Sequence, residues 1–330
     1  MAKWVRSGVL AGARSLVSEL GGDFAALAER ASIPANALRH PDTPIQVGAV
    51  VRFLEDASAT LACEAFGLRL GQLQDLSLFG PLWSLFQSAA TVGDLLHDLA
   101  VYFPLHTQGT LVAIDTAPDG VMVMYDVASD IALPRRQVVE LGIGVLIKEL
   151  RRHQPKWRPQ EVFLRHAPPD DLRWHRQLLG SGLTFNADRN AVFVERSFLD
   201  MPTRSGDRTR HGRLATGFDT ARKTLAGIVR TRTEIVVRAL LPFSPCDLAT
   251  AARMMRFAPR TLQRRLADED TSFEAIVDAV RADLALTYLK DSRLAVAEVA
   301  EILQFSETSA LSRAFRRWHG ASPRQMKRGR

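Results

Sequence analysis

The chain has 330 residues, 46% of them hydrophobic and 24% charged, with a formal net charge of +7; that length accommodates two domains, with one as the conservative floor. No window approaches the ~18 apolar residues that span a bilayer, and Met1 to Leu20 is interrupted by Arg6, Arg14 and Glu19, which leaves no signal-peptide stretch, so a soluble protein with a cytoplasmic address is expected. Cys63 and Cys246 stand far apart with no Cys-x-x-Cys spacing, which excludes a disulfide framework and a cysteine zinc site.

The first 105 residues read as mostly helical, with apolar periodicity in Val47 to Leu61 and a capping box at Thr91 and Asp94 opening the segment to Phe103. A hairpin follows, Thr110 to Asp115 and Val121 to Val127, with turn chemistry in Pro118-Asp119-Gly120. The spacing of Val138, Leu141, Val145 and Leu150 predicts an amphipathic helix from Pro134 to Arg152. Short strands are expected at Glu161 to Arg165 and Ala191 to Val194, and a helix near Leu172 to Leu179. Between Met201 and Arg213 the periodicity gives way to Gly, Pro and basic residues. The expected fold is therefore mixed: an N-terminal α+β domain over 1–205, a basic linker and connecting helix over 206–227, and an all-α domain over 228–330.

The charge is unevenly placed. Residues 230–330 carry 18 Lys and Arg against 12 Asp and Glu, which is +6 of the net +7. A basic module joined to a nearly neutral one is the footprint of a nucleic-acid reader with a second domain, though an uneven surface would give the same count.

Within that basic tail one pattern occurs twice, 48 to 49 residues apart. The first copy holds Ala251-Ala252, Met255, Phe257, Leu262, Arg264 and Leu266; the second holds Val299-Ala300, Leu303, Phe305, Leu311, Arg313 and Phe315. Each predicts a short helix, a tight turn and a second helix with apolar residues inward at i and i+4. In the first copy Ser244-Pro245-Cys246-Asp247 reads as a helix start with serine as the cap. After the turn Arg256-Phe257-Ala258, Pro259 suits a second first turn, and anchors at Leu262 and Leu266 leave Arg260, Gln263 and Arg264 outward. Arginine forks onto guanine and glutamine onto adenine, which is what a helix in the major groove requires. In the second copy, anchors at Leu311 and Phe315 on a helix from Glu307 to Trp318 expose Ser309, Ser312, Arg313, Arg316 and Arg317. Basic residues continue through Arg324, Lys327, Arg328 and Arg330, where phosphate contact or plain solvation is the use. Between the copies, Thr271 and Glu274 read as a second capping box, opening a long helix with Phe273, Ile276, Val280, Leu284 and Tyr288 on one face. Two readers on one face of B-DNA must sit ~34 Å apart, or the DNA must bend.

The tail resembles the DNA-binding domain of the AraC family. The likeness rests on Thr261-Leu262-Gln263-Arg264-Arg265-Leu266, on Thr271-Ser272-Phe273, on the run from Val299 to Ser306, and on Ser312 to Gly320 with Ser322-Pro323-Arg324. By position it implies base reading by Arg260, Gln263, Arg264, Ser309 and Arg313; phosphate contact is expected of Ser312, Arg316, Arg317 and Arg324. Arg256 and Gln304 depart from the family, which usually has glycine there, and a left-handed backbone would cost each roughly 1 kcal/mol. Ala258 stands where a capping serine is common, and Leu311 where phenylalanine is common. The N-terminal part is similar to the effector domain of one AraC-type branch, through Leu78-Phe79-Gly80-Pro81-Leu82-Trp83, the helix from Thr91 to Tyr102, and Arg165-His166-Ala167-Pro168-Pro169 through Phe185-Asn186 to Met201-Pro202. This implies an effector pocket or a dimerisation surface. Tyr102, His106 and Tyr125 are candidate pocket residues, and Arg135 or Arg136 a candidate partner for an acidic ligand; each has an ordinary core or surface reading beside it.

The function expected is a transcription regulator, an activator or a repressor, responsive to a small organic effector or acting without one. Expected partners are double-stranded DNA, a small organic effector, RNA polymerase and a second copy of the chain. No enzyme, cofactor or metal is expected: His97, His106, His166 and His175 lack the spacing of a metalloprotease, and Gly142-Ile143-Gly144 lacks the third glycine of a dinucleotide loop. The sharpest enzymatic alternative is a methyl-accepting DNA-repair protein using Cys246, whose thiol would need a pKa lowered by a helix N-terminus.

Overall fold

The computed structural model describes residues 4–38, 40–107, 110–127, 134–224, 228–241, 246–255, 257–291 and 294–328. The chain divides into two compact units, Met1–Ala226 and Gly227–Arg330. Among the described residues no helix is long and apolar enough to cross a membrane.

The first unit runs β1 (Trp4–Arg6), α1 (Ala13–Glu19), α2 (Phe24–Arg30), β2 (Pro44–Gln46), α3 (Val47–Thr60), α4 (Phe66–Leu73), α5 (Pro81–Ser88) and α6 (Val92–Tyr102). It continues through β3 (Thr110–Ala117), β4 (Gly120–Val127), α7 (Arg136–His153), β5 (Val162–Phe163), α8 (Arg173–Leu179), β6 (Leu183–Thr184), β7 (Ala191–Glu195), α9 (Arg196–Leu199) and α10 (Arg208–Thr224). The Thr91 and Asp94 box is present at the start of α6, each side chain accepting from the other residue's backbone N–H at 3.1 Å. The sheet has the order β3-β4-β7-β5-β6, antiparallel except for β5 with β6. Gly120, expected in the turn, is the first residue of β4; a side chain there would strike the Val194 carbonyl on β7.

Helix α7 is the axis of this unit and buries twelve of its eighteen residues, with α3 and α4 on one side and β4 on the other. Such closeness needs small residues. A Cβ on Gly67 would meet the Gln137 carbonyl, and one on Gly71 would lie 2.8 Å from Leu141 O. A Cβ on Gly142 would enter the Tyr125 ring, so this glycine serves packing. Arg136, Gln137 and Glu140 on α7 join a buried knot, in which Glu140 Oε2 and His175 Nδ1 have no hydrogen-bond partner. Gln137 Oε1 accepts from Gly67 N at 2.7 Å while its Nε2 donates to Glu64 O at 2.8 Å. Glu140, fully buried, takes Arg136 Nε and His175 Nε2 at 2.9 Å each, with His166 Nε2 3.3 Å away.

In the second unit the elements are α11 (Ile228–Leu240), α12 (Leu248–Met254), α13 (Pro259–Ala267), α14 (Phe273–Asp291), α15 (Val296–Ile302), α16 (Thr308–His319) and α17 (Pro323–Arg328). Helix α14 buries Phe273, Ile276, Val280, Leu284, Ala285 and Leu289; α11, α15, α16 and α17 pack on it, while α12 and α13 pack on α11. Two helix starts differ from expectation. The described start of α12 is Asp247, whose carboxylate accepts from Thr250 N at 2.7 Å; the acid expected inside the first turn is itself the cap, and Ser244 and Pro245 lie outside the described residues. Likewise α14 is capped by Ser272 Oγ, accepting from Ala275 N at 3.1 Å, and not by Thr271. The reason is the preceding turn: Asp270 adopts a left-handed φ of 53°, and the Thr271 N–H closes α13 by donating to Leu266 O at 3.0 Å.

The left-handed position expected at Gln304 is present, with φ 58°. Its cost is offset locally. Gln304 Nε2 donates to Leu241 O at 2.7 Å, and Arg281, stacked on Phe305, donates to Leu303 O and Gln304 O at 3.0 and 3.2 Å. The matching position, Arg256, lies outside the described residues.

Two outcomes follow from these interiors. Burial first, then the Glu140 charge, push Glu55 up from 4.5 to about 7, against the bond that it accepts from Gln137 N. Its stabilising share is therefore complete below pH 4.5 and disappears as pH rises through about 7. Glu55→Gln keeps an acceptor for Gln137 and should gain about 1 to 3 kcal/mol over wild type in chemical denaturation at pH 8, with little gain at pH 4.5; an equal gain at both would contradict the burial argument. Ala258 caps α13 with an extended backbone and no side-chain acceptor. Ala258→Ser should supply one worth ~1 kcal/mol, slowing amide exchange across α13 about five-fold in the intact chain, and unchanged exchange would show that the cap position is not limiting.

Candidate nucleic-acid interface

The geometry of α13 and α16 follows from two buried pairs. Leu262 and Leu266 on α13, and Leu311 and Phe315 on α16, are all at 0% exposure. At about 100° per residue, a pair at i and i+4 fixes the roll of its helix and turns i+2 to the opposite side. That position is Arg264 in one helix and Arg313 in the other, both exposed. Two residues before the first anchor stand Arg260 and Ser309, also exposed, and Gln263 is exposed beside them. Both helices begin after a tight turn, as a helix-turn-helix unit requires: α12 leads into α13 and α15 into α16.

The cations differ in what they already hold. Among the described residues, the side chains of Arg260, Gln263, Arg264 and Arg316 have no hydrogen-bond or ion-pair partner. Arg265 lies over the Phe257 ring at 4.8 Å and, like Arg281, braces the scaffold. Arg313 donates to Ser309 Oγ at 3.2 Å and approaches Glu307 at 3.4 Å, while Ser309 also bonds Glu307. These bonds, from Ser309 first and Arg313 second, hold the Glu307 carboxyl below its ordinary range. Arg317 pairs with Asp278 at 2.5 Å, which also accepts from Trp318 Nε1 at 2.9 Å. Ser312 Oγ donates to Thr308 O within its own helix, and Arg324 is exposed on α17. Glu307 and Asp278 were not singled out in the sequence; Glu307 is six residues from Arg313 and Asp278 is 39 from Arg317, neither of them the i+3 or i+4 spacing that marks a helical pair.

In the first unit an apolar cavity of about 70 Å³ lies between α7 and the sheet, and His106 and Tyr125 line it. Tyr102 and Arg135, expected there too, stand elsewhere. Tyr102 donates to Asp219 at 3.3 Å and faces Phe218 on α10, and Arg135 Nη1 caps the Val127 carbonyl at 2.9 Å. Helix α10, expected as part of a linker, is held on this unit by a further pair, His211 Nε2 with the buried Asp98 at 2.6 Å. Arg136 belongs to the Glu140 knot, a grouping hidden in the sequence because His175 is 35 residues away. Cys246 precedes the cap of α12 and is not in its first turn; burial first, then the Asp247 charge, push its thiol up to about 12, the reverse of what a methyl acceptor needs.

Comparison with known proteins agrees with this layout. Residues 21–203 match the model described as the arabinose-binding domain of AraC transcription regulator, N-terminal, and residues 251–329 match a helix-turn-helix domain. The HTH-type transcriptional regulator VirS of Mycobacterium tuberculosis is 29% identical over 325 residues, covering 97% of this chain and 95% of its own. The ornithine utilization regulator of Pseudomonas aeruginosa is 24% identical over 324 residues, covering 93% and 91%. The HTH-type transcriptional regulator VqsM of the same organism is 38% identical over 96 residues, or 29% of each chain. With a basic double reader behind a mixed α and β domain, the chain belongs to the AraC family of DNA-binding transcription regulators.

Proposed function

We propose that α13 and α16 enter the major groove of a specific operator, with Arg260, Gln263 and Arg264 reading one half-site and Ser309 and Arg313 the other. The observation that supports this most is the shared register: each arginine lies two residues past a fully buried anchor and faces away from the scaffold. Arg316 and Arg324 then reach phosphates, with Ser312, and Arg317 joins them once DNA displaces Asp278. Glu307 keeps Arg313 oriented before binding and repels any phosphate beneath it, which favours a base edge as the replacement partner.

The first unit is the regulatory part in this reading. A small organic effector binds it and alters how the readers are presented, either to DNA alone or through a second copy of the chain and RNA polymerase. No catalytic step is required, and the protonated Cys246 supports that. The test of the interface compares two variants on operator and random DNA. Arg264→Ala should cost about 1 to 3 kcal/mol on the operator and little on random sequence. Arg316→Ala should weaken both alike and flatten the salt dependence by about one phosphate contact. Equal losses on both DNAs for Arg264→Ala would remove its base-reading role.

A further inference from the structure

The cavity between α7 and the sheet has a chemistry that its family description does not suggest. Its wall is built from aliphatic and aromatic side chains, among them Leu99, Phe103, Val112, Val123, Met124 and Val145. The polar side chains that reach it are already engaged, with one exception. Gln74 Nε2 donates to Val9 O and Ala11 O at 2.8 and 2.9 Å, Thr107 Oγ1 to Trp4 O at 3.4 Å, and Tyr125 and Thr110 bond each other. The exception is His106. It is 8% exposed, stands edge-on to Phe79 at 4.4 Å, and its Nδ1 is buried with no hydrogen-bond partner. A buried ring nitrogen left in this state in an apolar wall marks a place where a ligand atom completes the bond.

The same wall rejects two classes. A sugar would bury a hydroxyl on nearly every carbon against a single free partner, at about 1 to 3 kcal/mol for each one left unmatched. An ion would meet no opposite charge, since no acidic or basic side chain other than the imidazole lines the cavity among the described residues. The imidazole itself is neutral, because burial first and the Arg6 charge second push it down to about 3.

We propose that this cavity binds a small neutral amphiphile, an apolar body carrying one hydroxyl or carbonyl that hydrogen-bonds to His106 Nδ1. This deepens, and rests on, the reading of the first unit as the effector domain. At about 70 Å³ the cavity is smaller than the ~150 Å³ apolar cavity that accepts benzene. A ligand of about three non-hydrogen atoms therefore fits directly, and one the size of benzene or phenol fits once Met124, whose unbranched chain repacks readily, moves aside.

The test uses the intact chain with three probes, phenol, benzene and L-arabinose, read by saturation-transfer NMR and by melting temperature. Wild type should bind phenol about ten-fold tighter than benzene and should not bind arabinose. His106→Leu should lose the preference for phenol while still binding benzene, and Val145→Leu, which fills the space, should bind neither aromatic. Should His106→Leu not fold, Val145→Leu decides alone by abolishing or sparing phenol binding. Arabinose binding in the cavity, absence of phenol binding, or phenol binding untouched by both substitutions would overturn the assignment. Operator affinity measured with and without phenol separates the two claims: binding of phenol without any change in DNA affinity upholds the cavity and removes the effector reading.

Discussion

Everything the second unit presents to solvent depends on four side chains that solvent does not reach. Leu262 with Leu266, and Leu311 with Phe315, each lock the roll of a short helix, α13 against α11 and α12, and α16 against α14 and α15. Short helices of this kind are marginal alone, and packing of an apolar face is what holds them. Because a helix is rigid in cross-section, burying one pair decides which residues are left opposite. Those are Arg264 and, further held by Ser309 and Glu307, Arg313. Losing a large buried side chain here would cost several kcal/mol and, before that, the roll of the helix it anchors.

Around these anchors the scaffold accepts local costs and balances them nearby. Gln304 holds a left-handed turn usually left to glycine, and it does so with its own side chain bonded to Leu241 O and with Arg281 clasping the turn carbonyls. Arg281 is thus a structural cation in a basic domain, as is Arg265 on Phe257. Charge counting alone would assign both to DNA. The acids Glu307 and Asp278 act in the other direction, since each holds an exposed arginine in place before any ligand arrives. The first unit uses the same economy: an apolar cavity with one unanswered nitrogen, and, near α3 and α8, a knot in which Glu140 is answered by Arg136 and His175.

Much of this was legible in the sequence because it is local. The Thr91 and Asp94 box, the β3 and β4 hairpin, α7, and the i and i+4 anchors of α13 and α16 all declare themselves within a few residues. What escaped is set by partners far along the chain or by elements too short for a period. Strands β1, β2 and β6 have two or three residues each, fewer than any alternation can reveal. The Thr271 box failed because the preceding left-handed turn claimed its N–H for α13. Tyr102 and His106 are four residues apart, yet Tyr102 ends α6 and turns to α10 while His106 follows the tighter turn Phe103–Leu105 and faces the cavity.

In the proposed complex, two helices of one domain read one duplex through matching arginines. Guanine-methylation interference on the operator bound by the intact chain tests it most directly. The account predicts two clusters of interfering guanines on one face of the duplex, their centres about 10 to 10.5 base pairs apart, one lost in Arg264→Ala and the other in Arg313→Ala. A single cluster, or two clusters that both survive loss of either arginine, would contradict it.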